Sequence, residues 1–558
     1  MVQTRFLTGF SLVVLALLPG ICLSQEQPRK KEVQQVKAAP RAGVPSPKLT
    51  EDQKFALDLL EASEASARGL EAPMRAFSLL QIASAPAVIP AKKARALLGD
   101  AFLASLEVHD DDDTKVRLQE DILRALLPLS LDDVQQLLPQ AEPKVRKEVS
   151  EKIISFYTSK KEFEKAIDLV NQVTGWDEFP YASATGLMEA MPAEMAAEKQ
   201  GLFIQAVNSY KNHTHENGMT LGGGTLTDMV THFAAGMNPK IVLQAIDEIL
   251  SQAKNSDEKF NITIGGQGGT VSFSSNYEYQ LFALLPLLEQ LDDERAKSLL
   301  EDNQSLQAKL QQFPQGVNSV NPPGQKDSDG KPVSGLQTSI YTGNSAGAGN
   351  AREIAAQETR RRVKEVVDES DKDPIQAIAH AMTLPLTVEG PWRPSPRAQA
   401  LEGIARIQAK TNPTAAHQAL GELRKISGDI PPRARVPHLA AAAGIYLEMN
   451  DKENAEKTVD EGFKAAENLL DQDINPDNPN KALKAWWPSA DAYRRFVGLE
   501  TKISKRGTAA VLKEIKDPDI RTFESIVYAQ SLLGMPMKRF VVVEKRKGTN
   551  SFSIFEDN

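Results

Sequence analysis

Three short helical stretches recur at a fixed period and limit what the chain can fold into. They begin DPIQAIAHAM, NPTAAHQAL and DKENAEKTVDEGF, and they place Ala377, Ala416 and Ala455 at successive intervals of 39 residues. Pro374 and Pro413 share this interval, as expected for proline in the first turn of a helix, where its missing N–H costs nothing. Such self-similarity predicts an array of stacked supersecondary units.

A second regularity concerns helix pairing. In three places a bulky residue precedes a small alanine by nine residues, which lets one large side chain pack over a small one where two helices cross. The pairs are Tyr157 with Ala166, Tyr446 with Ala455, and Ile407 with Ala416. This offset resembles tetratricopeptide repeats, although the period of 39 residues differs from the 34 typical of that family. The resemblance implies a mainly α fold, a right-handed α-solenoid of helical hairpins.

The remainder of the chain also has a helical pattern. From residue 50 to about residue 257, short Ala- and Leu-rich amphipathic stretches alternate with proline or glycine, which indicates helices joined by tight turns. Folding is expected to begin at Thr50, because TEDQ offers a hydroxyl N-cap with Gln53 three residues later.

The segment 314–350 has a different composition. Gly, Pro, Ser, Asn and Asp dominate it and no apolar periodicity survives, so we predict a disordered linker. It would separate an N-terminal helical-repeat domain, 50–313, from a C-terminal tetratricopeptide-like domain, 351–538. Residues 539–558 form a tail.

The stretch KFNITIGGQGGTVSFSS, 259–275, contains clustered glycines between two alternating patterns. Ile262 and Ile264 alternate with polar residues before a five-residue loop, and Val271 and Phe273 do so after it. A phosphate-binding loop would need a lysine and a following helix. Neither follows here, so the sequence predicts a small β-hairpin inserted among the helices.

The N-terminus indicates export. Residues 1–24 resemble a signal peptide, with Arg5, an apolar run and small residues before a cut after Ser24. Residues 25–49 are predicted to be a disordered tether. Cys22 is the only cysteine, so a cleaved chain would contain no thiol. We therefore expect a periplasmic or secreted protein without disulfides.

Candidate chemical sites are few. His213, His215, Asp228 and His232 could form a metal site, but no fixed ligand motif supports one. The acidic run 109–121 lacks the glycine of an EF-hand, with Lys115 in its place. We predict no catalytic, cofactor-binding or metal residues and no cofactor.

Trp486 and Trp487 are the remaining candidates for a ligand site. Their rings could stack on a sugar or a proline-rich peptide, or be buried at a helix junction. The sequence favours the junction.

These observations favour a binding protein over an enzyme. A net charge of −9 without a basic stripe disfavours nucleic acid, and no run after the signal is long enough to cross a membrane. We predict a scaffold that binds a protein or peptide.

Two alternatives stay open. The first is an α/α-toroid enzyme that acts on glycans, or a metal-dependent hydrolase using His213 and His232. The second is an envelope scaffold whose tether binds anionic polymers. The basic residues of that tether are Arg29, Lys30, Lys31, Lys37 and Arg41.

Overall fold

A computed structural model gives the fold for most of the chain. It describes residues 49–109, 114–176, 179–212, 225–255, 260–266, 268–321, 337–342, 348–387, 394–475 and 483–536. The predicted signal peptide and tail, and all of the predicted tether except Leu49, lie outside these ranges.

The described residues are mainly α-helical, as predicted. The first helices are α1 (Glu51–Ala67), α2 (Ala72–Ala83), α3 (Ala91–Leu106), α4 (Thr114–Leu126), α5 (Leu131–Leu137), α6 (Pro143–Ser159), α7 (Phe163–Trp176), α8 (Tyr181–Ala190), α9 (Ala196–Asn212), α10 (Leu226–Phe233), α11 (Pro239–Asn255), α12 (Asn276–Leu291), α13 (Asp293–Glu301), α14 (Gln304–Gln312) and α15 (Val317–Val320). The later helices are α16 (Ala348–Glu369), α17 (Pro374–Ala381), α18 (Pro396–Thr411), α19 (Pro413–Ser427), α20 (Pro432–Glu448), α21 (Lys452–Asp473), α22 (Pro488–Ile503), α23 (Thr508–Glu514) and α24 (Pro518–Leu532).

Local signals set several of the helix starts. The hydroxyl of Thr50 accepts from the Gln53 N–H at 3.2 Å, and the Gln53 side chain accepts from the Thr50 N–H at 2.9 Å. This capping box confirms the predicted start of α1. Pro374 and Pro413 occupy the first positions of α17 and α19, which confirms the prediction for both prolines.

The helices pack in a regular order. The even-numbered helices from α2 to α14 contact one another in succession, and so do those from α16 to α24. Most odd-numbered helices contact the helices immediately before and after them in the chain. In addition, α24 packs against α1 and α2, which joins the second succession to the first.

The contact of α24 with α1 and α2, here called the terminal seam, is apolar at its centre. The rings of Phe77 and Phe523 lie 5.4 Å apart, and those of Phe55 and Tyr528 lie 5.9 Å apart with edge-to-face geometry. At the rim, the Gln530 amide donates to a carbonyl of α2 at 3.0 Å. Aromatic pairs of this kind contribute beyond their buried area.

The terminal seam alters the predicted domain division. One cluster of buried apolar side chains extends from Ala56 to Val320 and also includes residues from Val436 to Ala529. A smaller cluster covers Ala377 to Ala455. The predicted domains 50–313 and 351–538 therefore share a core. The composition of 314–350 indicated a break in the helical pattern, but it contained no information about which distant helices pack together.

The predicted hairpin is confirmed and is part of a larger sheet. Strands β1 (Phe260–Gly266) and β2 (Gly269–Phe273) pair antiparallel with Gly266 opposite Gly269, so the strand pairing extends into the predicted five-residue loop. Strand β3 (Gln337–Thr342) pairs antiparallel with the other edge of β1, giving the order β2-β1-β3.

The prediction of a disordered linker over 314–350 was therefore wrong where the structure describes that segment. It contributes α15, β3 and the first turn of α16. The sequence QTSIYT does not by itself predict β3, because a six-residue strand has only a short alternating pattern and gains its stability from main-chain hydrogen bonds to β1.

The hairpin glycines allow the close approach of α15. A Cβ at Gly266 would lie 2.3 Å from the Val320 carbonyl oxygen, and the Gly268 N–H donates to that same oxygen at 2.9 Å. Close backbone approach is a recognised reason for glycine. The cluster of glycines thus has a packing role.

Glu278 of α12 links the hairpin to the helices through hydrogen bonds and an ion pair. Its carboxylate accepts from the Ser274 N–H and hydroxyl and from the Ser305 hydroxyl, each at 2.8 Å, and pairs with Lys309. Burial opposes its charge, but these donors outweigh burial and lower its pKa. The Lys309 ammonium also lies 5.1 Å from the centre of the Phe273 ring.

Among the described helices, none combines the length and the apolar character required to cross a bilayer.

Helices α21 and α22 cross closely because of one glycine. A Cβ at Gly462 would lie 2.1 Å from the ring of Phe496, which is itself fully buried. We expect Gly462→Ala to lower the free energy of unfolding by about 1–3 kcal/mol, as overpacking of a core does. Urea denaturation of the full chain measures this change.

A matched control is available in the preceding helix. A Cβ at Gly444 of α20 would meet no atom within 4 Å. Gly444→Ala should therefore raise the free energy of unfolding by up to about 1 kcal/mol through helix propensity. Equal effects of the two substitutions would contradict the close crossing.

His417 links α19 to the start of α21. Its Nδ1 lies 2.8 Å from the Pro413 carbonyl oxygen and its Nε2 lies 2.7 Å from a carboxylate oxygen of Asp451. Asp451 also caps α21 through the Asn454 N–H. Burial opposes the charge on the ring, but the two acceptors outweigh it and raise the pKa of His417.

The raised pKa predicts a pH-dependent contribution of His417. The stabilisation is complete below the ordinary histidine pKa and is lost as the pH rises through the raised value. Because the ring is 41% exposed, His417→Gln should cost up to about 1 kcal/mol at acidic pH and less at alkaline pH. Urea denaturation at both pH values tests this, with His109→Gln at an exposed histidine as control. An equal cost at both pH values would refute it.

Candidate binding groove

A groove of about 300 Å³ lies between α7 and α9. Thr174 contributes from α7. The other lining residues share one stripe of α9 and are Gly201, Ile204, Gln205, Asn208, Ser209 and Asn212. Their spacing of three to four residues places them along one side of the helix.

The opposite side of α9 explains why this stripe faces outward. Leu202, Phe203, Ala206 and Val207 are buried and fix the rotation of the helix. The amphipathic pattern therefore directs Gly201, Ile204, Asn208 and Asn212 to the surface, while Gln205 is half-buried and Ser209 is buried.

The polar atoms of the groove fall into two groups. The Ser209 hydroxyl accepts from the Phe179 N–H at 3.3 Å, and the Thr174 hydroxyl donates to the Val170 carbonyl at 2.7 Å. These groups are held by the fold. The second group consists of three carboxamides that extend from the same helix and are available to a ligand.

The carboxamides of Gln205, Asn208 and Asn212 take part in no hydrogen bond among the described residues. Each offers two N–H donors and one carbonyl acceptor. Beside them Ile204 is 37% exposed and supplies an apolar contact. No charged residue lines the groove, so it suits a neutral ligand that both donates and accepts hydrogen bonds.

The predicted metal candidates have other partners. Asp228 accepts from the Thr225 N–H at 2.9 Å and from its hydroxyl at 2.8 Å, which caps α10. The His232 Nε2 lies 2.9 Å from a carboxylate oxygen of Glu189 on α8. His213 and His215 lie outside the described residues. Within those residues, no group of three or more His, Cys, Asp or Glu side chains could hold a metal ion.

Both tryptophans lie at a helix junction, as the sequence favoured. The short 3-10 helix Lys484–Trp486 contacts α2, α22 and α24, and Trp487 is 9% exposed. The guanidinium of Arg117 lies 5.6 Å from the Trp486 ring centre. Trp487 is therefore buried at the junction, and Trp486 packs partly buried against the same core.

The acidic run is also structural where it is described. Lys115 in the first turn of α4 pairs at 2.7 Å with Glu142, the residue before α6, while residues 110–113 lie outside the described residues.

The groove was not predicted from the sequence. Its signal is GLFIQAVNSYKN, in which amide side chains recur at helical spacing opposite a buried face. That pattern is visible in the sequence, but an exposed helix face has the same pattern. Only the position of α7 beside α9 makes the stripe into a groove.

No protein-family model matches the chain, and no curated protein matches it.

The capping role of Asp228 gives a test against the metal interpretation. Asp228→Ala should lower the free energy of unfolding by about 1 kcal/mol, because a capping interaction of α10 is lost. Thermal unfolding with added zinc and with a chelator measures the cost under both conditions. We expect the same cost in each. A larger cost with zinc would instead indicate that Asp228 is a ligand.

Proposed function

We propose that this chain is an α-solenoid of tetratricopeptide-like helix pairs that binds extended peptide segments of other proteins. The observation that carries the proposal is the neutral groove between α7 and α9, with carboxamides that have no partner among the described residues.

The packing order supports the solenoid. Even-numbered helices contact one another in succession, while most odd-numbered helices contact their immediate neighbours, as in stacked helical hairpins. In two of the three pairs with the nine-residue offset the bulky and small residues are buried in the same cluster, Tyr157 with Ala166 and Tyr446 with Ala455. In the third pair Ala416 is buried but Ile407 is only half-buried.

The dimensions of the groove suit an extended peptide. Asn208 and Asn212 are four residues apart, which corresponds to about 6 Å along a helix. An extended peptide presents N–H and C=O groups of one edge every two residues, about 6.6–6.8 Å apart. Successive carboxamides can therefore each donate to a peptide carbonyl and accept from a peptide N–H.

The groove chemistry also favours recognition. Carboxamides, a glycine and an isoleucine orient a neutral chain, whereas general acid–base catalysis requires groups that exchange protons. We accordingly propose a scaffold role. Because residues 1–24 resemble a signal peptide, we also propose that the protein acts in the periplasm or is secreted.

Selection from a library of extended peptides would test the function, followed by fluorescence anisotropy with each selected peptide. We expect Asn208→Ala with Asn212→Ala to weaken binding by about tenfold to hundredfold, since each carboxamide contributes about 1 kcal/mol net. Gly201→Phe should abolish binding by filling the groove. A Cβ at Gly201 meets no atom within 4 Å, so the variant should fold.

The matched control removes two exposed carboxamides elsewhere, with Gln312→Ala on α14 and Gln472→Ala on α21. It should leave affinity unchanged. Peptides that bind all three variants as tightly as the unaltered chain would show that the groove is not their site.

A further inference from the structure

Glu524 of α24 is a fully buried carboxyl group without hydrogen bonds. Its side chain has no exposed surface, and neither carboxyl oxygen has a hydrogen-bond partner among the described residues. A buried polar group in this condition is rare and costly. When it is ionised the cost is larger still.

Its position connects it to the terminal seam. The preceding residue, Phe523, packs against Phe77 of α2, and Tyr528, one turn further along α24, packs against Phe55 of α1. Glu524 therefore lies on the buried side of α24, the helix that packs against α1 and α2.

The charges around Glu524 do not neutralise it. Arg494 of α22 favours the ionised form, but Arg494 is paired with Asp491, and Asp491 itself opposes ionisation of Glu524. Tyr493 of α22 also interacts electrostatically with Glu524. The other elements packed on α24 carry charges that have partners or are exposed. These are Asp52 of α1 with Lys505, Arg75 of α2 with Glu107, Lys484 with Asp517 and Asp519, and the exposed Lys513 and Glu514 of α23.

We propose that Glu524 makes the terminal seam sensitive to pH, closed while its carboxyl group is protonated and loosened when that group ionises. The proposal is independent of the groove and concerns the packing of α24 on α1 and α2.

The direction of the effect follows from burial. Burial raises the pKa of Glu524 well above its ordinary value, so the folded state binds the proton more tightly than the unfolded state. The stabilisation is present below the ordinary glutamate pKa and is lost as the pH rises through the raised value. Each pH unit in that interval favours opening by up to about tenfold.

Hydrogen exchange of the full chain, analysed by mass spectrometry, distinguishes the seam from the rest of the fold. Peptides from α1 and α24 report on the seam, and peptides from α9 report on a distant helix. Glu524→Gln keeps the shape and removes the charge. Comparing it with the unaltered chain at each pH, from about pH 5 to about pH 9, cancels the intrinsic pH dependence of exchange.

We expect exchange in α1 and α24 of the unaltered chain to exceed that of Glu524→Gln by a factor that grows with pH, up to about tenfold per unit. Peptides from α9 should show no such factor. The control Glu514→Gln, at an exposed position of α23, should behave as the unaltered chain.

Two results would overturn the proposal. One is a ratio between the unaltered chain and Glu524→Gln that does not change with pH. The other is a ratio that changes equally in α9, which would indicate a global effect. If Glu524→Gln does not fold, Glu524→Met takes its place in the comparison. If neither variant folds, the unaltered chain is measured alone, and the ratio of exchange in α1 and α24 to exchange in α9 must rise with pH.

Discussion

The packing of α24 against α1 and α2 is the interaction on which the rest of the structure depends. Without it, the even-numbered helices would form two separate successions, α2 to α14 and α16 to α24. The paired rings of Phe77 and Phe523 bury apolar surface where these successions meet, and the core then runs through the contact. Burial of apolar area is the main stabilising term. The seam therefore makes the stability of each succession of helices depend on the other.

Close packing also shapes the contacts within the helix pairs. Small residues such as Ala455 and Gly462 are buried where a large neighbour needs room, and the opposite side of a helix faces outward. On α9 such a face carries carboxamides beside Ile204. Tight packing on one side of the helix and an accessible polar stripe on the other are therefore two results of a single amphipathic pattern.

Local features of this fold could be predicted from the sequence, and distant pairings could not. The capping box at Thr50, the prolines that begin α17 and α19, and the alternation that forms β1 and β2 all depend on neighbours within a few residues. By contrast, Phe77 and Phe523 have no pattern that assigns them to each other, and β3 joins β1 from a segment rich in loop-forming residues. The groove depends on α7 lying beside α9. The burial of Glu524 depends on the packing of α24, and its place in the sequence is that of an ordinary polar residue of a helix.

The terminal seam also determines the order in which the molecule can be completed. Asp52 and Lys505, which pair across it, are separated by 453 residues. At synthesis rates of about 5–20 residues per second, roughly 20 to 90 s elapse between their appearance. During that interval the apolar face of α1, including Ala56 and Leu60, has no α24 to cover it. The apolar face of α1 is thus covered only after α24 has been made, and until then the nascent chain exposes a hydrophobic surface that a chaperone could bind.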